Sequence, residues 1–416
     1  MSNYLFFDNA STTRCCNAAV EAVKHFAEED FGNPSSSHVL GKRSAKAIHQ
    51  ARDFFAKTFE VSPAQVIFTG SGSESDNLAI YGIAMQALAN RHATGSPATP
   101  RVLVSSIEHP AVRKTALSLT SLGFEVELIP VDSQGQIDRE AFLKLLTPQT
   151  VLVSIQRVNN IIGSLLPVEE LAQLAKKRVP SVVFHTDAVQ AFGRVDVPKS
   201  PSAVDLLSIS AHKVEGPKGV GALIVLNPQL IKEGLRPVIW GGDQEGGFRS
   251  GTQNAGLISG FHLAAKETLE RRESYTPYIQ KLRDQLKTLL NEHGLLAGPK
   301  NVSGPVVWNS PVDELAGVPY IVNISLPGLP AGLIANMLEE RHCVVSTGSA
   351  CSSNKAAPDP VLTAIGLPTA FRSSAIRISF SCQNQPKDVE QLAHALKESI
   401  EQLTNMLSGG NTAAAV

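Results

Sequence analysis

Seven short, nearly continuous apolar runs, set between segments of helical periodicity, constrain this chain more than any other feature. They cover residues 66–69, 102–105, 126–129, 151–155, 182–185, 206–209 and 222–225 and are rich in β-branched residues. Little polar alternation breaks them, as expected of strands covered on both faces. Between them, Leu78, Tyr81, Met85 and Leu88 recur on one helical face, as do Val168, Leu171, Leu174 and Ala175. Strands alternating with helices specify an open α/β sheet that is mostly parallel. The last gap, residues 213–221, is too short for a helical crossover, so the seventh strand is expected to run antiparallel to the sixth.

A chain of 416 residues exceeds one ordinary core, and two domains are expected. Residues 16–260 form the large domain in this reading; residues 1–15 with 261–407 form a smaller α+β domain. Ile279, Leu282, Leu286 and Leu289 mark one of its helices, stopped by Gly294, and the periodic leucines from Leu392 to Leu407 mark another. Short strands are expected at 321–324 and 376–379, a surface loop at 91–100 and a disordered tail at 408–416. A formal net charge of -1 gives no electrostatic reason to expect nucleic acid or anionic membrane as a partner. No apolar stretch approaches the ~18 residues of a membrane helix, and the N-terminus does not read as a signal peptide. Five cysteines, with no C-x-x-C pair, suit neither a disulfide framework nor zinc; no metal is expected. They suit a reducing cytoplasm, where an exposed thiol can stay a free nucleophile.

Ligands of open α/β sheets gather at the carboxyl ends of the strands, so the residues there carry the functional reading. The first run leads into Gly70-Ser71-Gly72-Ser73-Glu74-Ser75-Asp76-Asn77, small residues at a helix start that can cradle a phosphate. Ser73 with Asp76 equally fits an ordinary capping box. Glu108-His109 comes after the second run, and a lone histidine there is more often structural than catalytic. Asn159-Asn160 comes after the fourth and could simply be turn residues, while Asp187 and Gln190 come after the fifth. An acid in that place either caps the next helix or pairs with a protonated ring nitrogen. Ser210-Ala211-His212-Lys213 succeeds the sixth run, beside the glycine-rich turn 215–219. A lysine among such small residues can be desolvated toward the neutral amine that forms imines. Anion cradle, ring-stacking candidate, acid and imine-forming lysine are together what a pyridoxal-phosphate site needs.

These residues sit within a longer set of motifs. Phe7-Asp8-Asn9-Ala10-Ser11-Thr12-Thr13 opens it; Arg249-Ser250-Gly251-Thr252, Gly348-Ser349-Ala350-Cys351 and Ile376-Arg377 close it. From Phe7 to about Leu407 the chain resembles the NifS/IscS type of cysteine desulfurase, class V enzymes of the fold-type I pyridoxal-phosphate group. The resemblance implies that Lys213 is the Schiff-base lysine and moves the substrate Cα proton, with His109 stacked on the ring. It implies Asp187 at the ring nitrogen, Gln190 and Asn159 near the ring hydroxyl and substrate, and Gly72, Ser73, Ser210 and His212 around the phosphate. Thr252 would reach the phosphate of a neighbouring subunit, which implies a homodimer. Arg377 would hold the carboxylate of L-cysteine. Cys351, in the loop 345–360, would take the sulfur as a persulfide and pass it to an acceptor protein, such as an iron–sulfur scaffold or a carrier for tRNA thiolation. Cys343, by contrast, reads as a buried small hydrophobe.

Three departures from the family pattern stand out: Ile161 where an acid is usual, Glu215 for an aromatic or histidine, and Ser381-Cys382 for Gly-Arg. Three alternatives stand beside this reading: a selenocysteine lyase of the same fold, an aminotransferase in which Cys351 is incidental, and a catalytically silent sulfur-transfer scaffold.

Overall fold

The computed structural model describes residues 4–297, 304–313, 315–347 and 359–410, with side chains as far as 407. The strands are β1 (Leu5–Phe6), β2 (Val66–Thr69), β3 (Arg101–Ser105), β4 (Glu125–Ile129), β5 (Thr150–Ser154), β6 (Val183–Asp187), β7 (Leu206–Ser210), β8 (Gly221–Val225), β9 (Val307–Trp308), β10 (Ile321–Ser325), β11 (Cys343–Val344) and β12 (Ala375–Ser379). The α-helices are α1 (Asn17–Glu28), α2 (Val39–Phe59), α3 (Gly72–Thr94), α4 (Pro110–Ser118), α5 (Arg139–Leu145), α6 (Val168–Arg178), α7 (Ala255–Glu292), α8 (Ala331–Glu340), α9 (Pro360–Ala364), α10 (Thr369–Arg372) and α11 (Pro386–Gly410).

All seven apolar runs become strands of one sheet, in the order β2-β8-β7-β6-β5-β3-β4. β8 runs antiparallel to both neighbours, β2 and β7, as its short connection requires. Every other adjacent pair is parallel. Six strands therefore point the same way, and their carboxyl ends share one edge. Side-chain alternation splits the core between the two faces. Phe68, Leu103 and Phe184 join the larger cluster with α2, α6 and α7, whereas Ile67, Val102 and Val104 join a second cluster under α3 and α4.

The start of α3 sets up the site. Ser71 is its cap: the hydroxyl accepts from the Glu74 N–H at 3.1 Å, and the Glu74 carboxylate accepts from the Gly70 N–H at 2.9 Å. Ser73 and Asp76 do not form the capping box that the sequence offered. The helix begins at Gly72, so both already lie in its first turns. The loop expected from residue 91 begins only at Gly95, whose φ of 64° ends α3.

The second region holds the small sheet β12-β10-β9 and the pairing of β1 with β11, which carries the N-terminal segment across to it. α7 runs unbroken for 38 residues through position 260, where the division into two regions is expected. Its first half packs on α1 and α2, and it also contacts α11. At the other end of the chain α11 extends through Gly410, into the segment read as a tail. No helix among the described residues is long and apolar enough to cross a membrane.

Phe55 illustrates how the α2 layer is held. It is fully buried, with ring centroids of Phe261, Phe68 and Phe192 at 4.6, 5.9 and 6.2 Å. Phe55→Ala should cost about 3–5 kcal/mol, read as a lower urea midpoint by far-ultraviolet circular dichroism. A loss below about 1 kcal/mol would contradict this packing.

Candidate active site

Strand direction brings the functional side chains to one edge, where a cavity of about 360 Å³ opens. That volume suits a small ligand. Lys213 enters it from the 3-10 turn after β7, His109 from the start of α4, and Asp187 from the end of β6. Gly72, Ser73, Gln190, Ser210, His212 and Arg377 line it as well.

Lys213 Nζ donates to two backbone carbonyls of the N-terminal segment, Ala10 at 2.5 Å and Ser11 at 2.7 Å. Burial, then the Arg377 and Arg194 guanidinium groups, push its pKa down to about 7. The amine is thus neutral in a large fraction of molecules near physiological pH, as a nucleophilic lysine must be. Burial raises Asp187 to about 6, against the Val189 N–H at 2.8 Å and the Lys213 charge, both of which favour its ionised form. His109 caps α4 by accepting the Ala111 N–H at Nδ1, 3.1 Å. Burial, then Lys213 and Arg377, lower its pKa to about 4, so the neutral ring carries its proton on Nε2.

Arg377, on β12, is buried and tied to three parts of the chain. Nη2 donates to Asp8 Oδ1 at 2.7 Å and to Ser11 Oγ at 2.6 Å, and Nη1 donates to the Asn160 carbonyl at 2.8 Å. Its backbone bridges Ser346, at 2.7 and 3.0 Å, so the segment leading to Cys351 starts beside it. Cys351 itself lies outside the described residues, as do Gly348, Ser349 and Ala350. The other flank returns at Asp359, which lines the cavity.

Two of the expected residues stand elsewhere. Asn159 is fully buried and does not line the cavity: its amide donates to the Ile107 carbonyl and accepts from the Ile161 and Ile162 N–H groups. Asn160 lines the cavity instead. Thr252 is exposed in a separate groove with Phe31 and Asn33. Cys343 is fully buried, and burial raises its thiol to about 11.

The structure adds residues that sequence reasoning misses. Asp8, Ala10 and Ser11 stand in the sequence only as part of a motif, yet they hold Arg377 and Lys213. Asp76 and Glu108 bring two more buried acids to the cavity. Glu108 accepts from Ser105 Oγ and the Gln156 N–H, and burial raises it to about 8. The departures also acquire places. Ile161 is buried in the cavity wall. Glu215 and Cys382 meet each other: the thiol lies 3.2 Å from Glu215 Oε1, and Arg271 pairs with Oε2 at 2.8 Å. Arg271 thus compensates the acid beside the lysine.

Several buried polar atoms in the wall lack a hydrogen-bonding partner among the described residues. They include Asp76 Oδ1, Glu108 Oε2, Gln190 Oε1, Ser210 Oγ and Arg377 Nε. Buried polar groups are ordinarily satisfied, so this set points to a polar ligand. A half-neutral lysine, acids and a helix start at the carboxyl edge of a parallel sheet mark an enzyme site built around an amine.

Comparison with known proteins agrees. The family model for aminotransferase class-V matches residues 5–392. A cysteine desulfurase IscS of Methanosarcina thermophila is 36% identical over 405 residues, covering 97% of this chain and 93% of the relative. A solved NifS-like protein superposes with a TM-score of 0.85 at 31% identity, covering 96% of this chain and 100% of the other. A structure described as SspA in complex with cysteine gives 0.75 at 30% identity, covering 90% and 98%. The chain belongs to the class-V aminotransferase family.

Lys213 should react ahead of ordinary lysines when the protein is treated with a small acylating reagent. Its rate should rise through a midpoint of about 7, since the amine loses its proton there. Peptide mass mapping across pH would check this, and a midpoint near the ordinary ~10.4 would refute it.

Proposed function

We propose that this protein is a cysteine desulfurase: with pyridoxal phosphate it removes sulfur from L-cysteine, giving L-alanine and a persulfide on Cys351. The observation that carries the reading is Lys213, its pKa lowered to about 7, facing Asp187 in a cavity whose wall holds orphaned polar atoms. Relatives named for this activity support it, and so does a similar structure described as a complex with cysteine.

The residues fit the cofactor. Gly72 and Ser73 sit at the start of α3, where N–H groups lack intrahelical acceptors and the dipole favours an anion. A Cβ on Gly72 would come within 2.7 Å of Val189 and 3.2 Å of Ser210, so only glycine leaves the backbone room there. The unpartnered Ser210 hydroxyl and the neutral His212 complete the phosphate cradle. Asp187 would meet the ring nitrogen, His109 would lie on the ring, and the free Gln190 Oε1 would serve the ring hydroxyl. Bound through Lys213, pyridoxal phosphate supplies an electron sink that weakens the bonds at the substrate Cα.

Within that arrangement the chain's own groups divide the work. Lys213 Nζ, neutral in part at physiological pH, moves the Cα proton. Arg377 holds the substrate carboxylate, held in place itself by Asp8 and offering an Nε–H that has no partner among the described residues. Cys351 lies five residues beyond Ser346, a reach of at most about 18 Å from the backbone bridge to Arg377. Its thiolate forms the S–S bond as the substrate C–S bond breaks, and protonation of the carbon gives alanine. Asn159 supports the wall through the 107 and 161–162 backbone.

The persulfide would pass to a sulfur-acceptor protein, an iron–sulfur scaffold being one chemistry that needs it. The active unit in this reading is a cytoplasmic homodimer in which Thr252 completes the partner's phosphate site. Its groove is flanked by exposed Phe31, and Trp240 is 75% exposed on the segment that bridges Arg249.

Three outcomes test these statements. Borohydride added after pyridoxal phosphate should leave the cofactor mass on the peptide bearing Lys213; an unlabelled peptide would sink the assignment. Cys351→Ser should lower alanine release from L-cysteine at least about 100-fold and abolish the sulfur adduct seen by mass spectrometry. Retained turnover would exclude Cys351 as the acceptor. Light scattering should give twice the 44.3 kDa chain mass, and Trp240→Glu should shift the protein toward monomer with weaker cofactor binding.

A further inference from the structure

A line of buried polar groups crosses three adjacent strands on the sheet face turned toward α3. Ser154 Oγ of β5 lies 2.8 Å from His185 Nδ1 of β6, and His185 Nε2 lies 3.0 Å from Ser208 Oγ of β7. His185 Nε2 is also 3.7 Å from Asp76 Oδ1. Sheet register makes the line, because Ser154 pairs with His185 and Ser208 pairs with Asp187. Ser154, His185 and Ser208 are fully buried, and Asp76 is 1% exposed. Burial lowers the His185 ring to about 3, so it is neutral and brings no cation to Asp76.

Asp76 ends this line at the cavity. One oxygen of Asp76, one of Asp187 and a ring nitrogen of His109 all lie within 4.8 Å of one another. Asp76 Oδ1 has no hydrogen-bonding partner among the described residues. Two carboxyl groups this close in dry surroundings do not both ionise. Burial first, then the Asp187 charge and more weakly Glu108, raise Asp76 well above the carboxylate range, against a Ser208 hydroxyl that alone favours its ionised form. Asp187, raised only to about 6, has the Val189 N–H and Lys213 to favour its charge. The other titratable groups facing the pair are Glu108 beyond β3, raised to about 8, and the neutral His109 at the start of α4. Neither competes for the charge.

We propose that Asp76 is a positioning residue for cofactor binding: as the protonated member of the pair it donates toward Asp187 and confines their single negative charge to the carboxylate that meets the ring nitrogen. The proposal rests on the pyridoxal-phosphate reading and deepens it. Asp76 acts through Asp187 and touches no reacting atom.

The test titrates apo-protein with pyridoxal phosphate and tracks the pH midpoint of the bound cofactor's visible absorbance, for the parent, Asp76→Asn and Asp76→Ala. Asparagine keeps a donor and cannot ionise, so its affinity should stay within about threefold of the parent and its midpoint should not move. Alanine removes the donor. Its affinity should fall about tenfold, and its midpoint should rise because Asp187 loses a hydrogen bond that favours the ionised form. A downward shift in either variant would mean that Asp76 is ionised and repels Asp187, overturning the proposal. An alanine variant with parental affinity and midpoint would overturn it too. Should the alanine variant fail to fold, the asparagine variant decides: an unmoved midpoint supports the proposal and a fall ends it. A parent protein that develops no visible band fails the pyridoxal-phosphate reading itself, and this proposal with it.

Discussion

The Arg377 guanidinium is where the parts of this chain that build the cavity converge. One nitrogen binds Asp8 and Ser11 from the N-terminal segment, another binds the carbonyl of Asn160, and the backbone of the same residue bridges Ser346. Removing Asp8 would leave the buried Arg377 guanidinium without its carboxylate partner, although Asp8 itself is only partly buried. The N-terminal segment is therefore part of the site rather than a leader to it. Its carbonyls at Ala10 and Ser11 also receive the Lys213 ammonium, and Ala10 receives the Gln190 amide. One short stretch of backbone thus orients the amine and, through Asp8, the cation opposite.

Burial keeps several titratable groups in and around the cavity uncharged. The histidines at 109, 185 and 212 are all held neutral, chiefly by burial. Glu108 is held protonated for the same reason. Charged groups include Arg377 with Asp8, and Lys213 opposite Asp187, the latter two each near its own balance point; Arg113, Lys114 and Asp359 line the cavity too. Low dielectric magnifies both pairings, so small changes in the wall alter the amine more than equal changes at the surface would.

Much of the architecture is legible in the sequence because the sheet is buried on both faces, and burial writes a strong local signal. Seven apolar runs become seven strands, and the short gap after Lys213 correctly requires a reversal at β8. Helix ends are less legible. Gly95 rather than Arg91 ends α3, and Ser71 rather than Ser73 caps it, because capping depends on a backbone angle that composition does not specify. Most residues gathered around Lys213 reveal themselves by their place at the carboxyl ends of the strands. Asp76 and Asp8 carry no such mark: one sits a turn inside a helix, and the other is brought in by a contact with residue 377, far along the chain. The meeting of Glu215 with Cys382 is equally invisible in sequence, since nothing local to either residue announces the other.

α7 has a mechanical consequence. At 1.5 Å per residue its 38 residues make a rod about 57 Å long, anchored on α1 and α2 at one end and contacting α11 further on. Two regions that share such a spar do not swivel freely about a flexible tether. Its weak point is Pro277, which lacks the N–H needed for the helical ladder. Bending of the rod is therefore concentrated at Pro277 rather than spread evenly along its length.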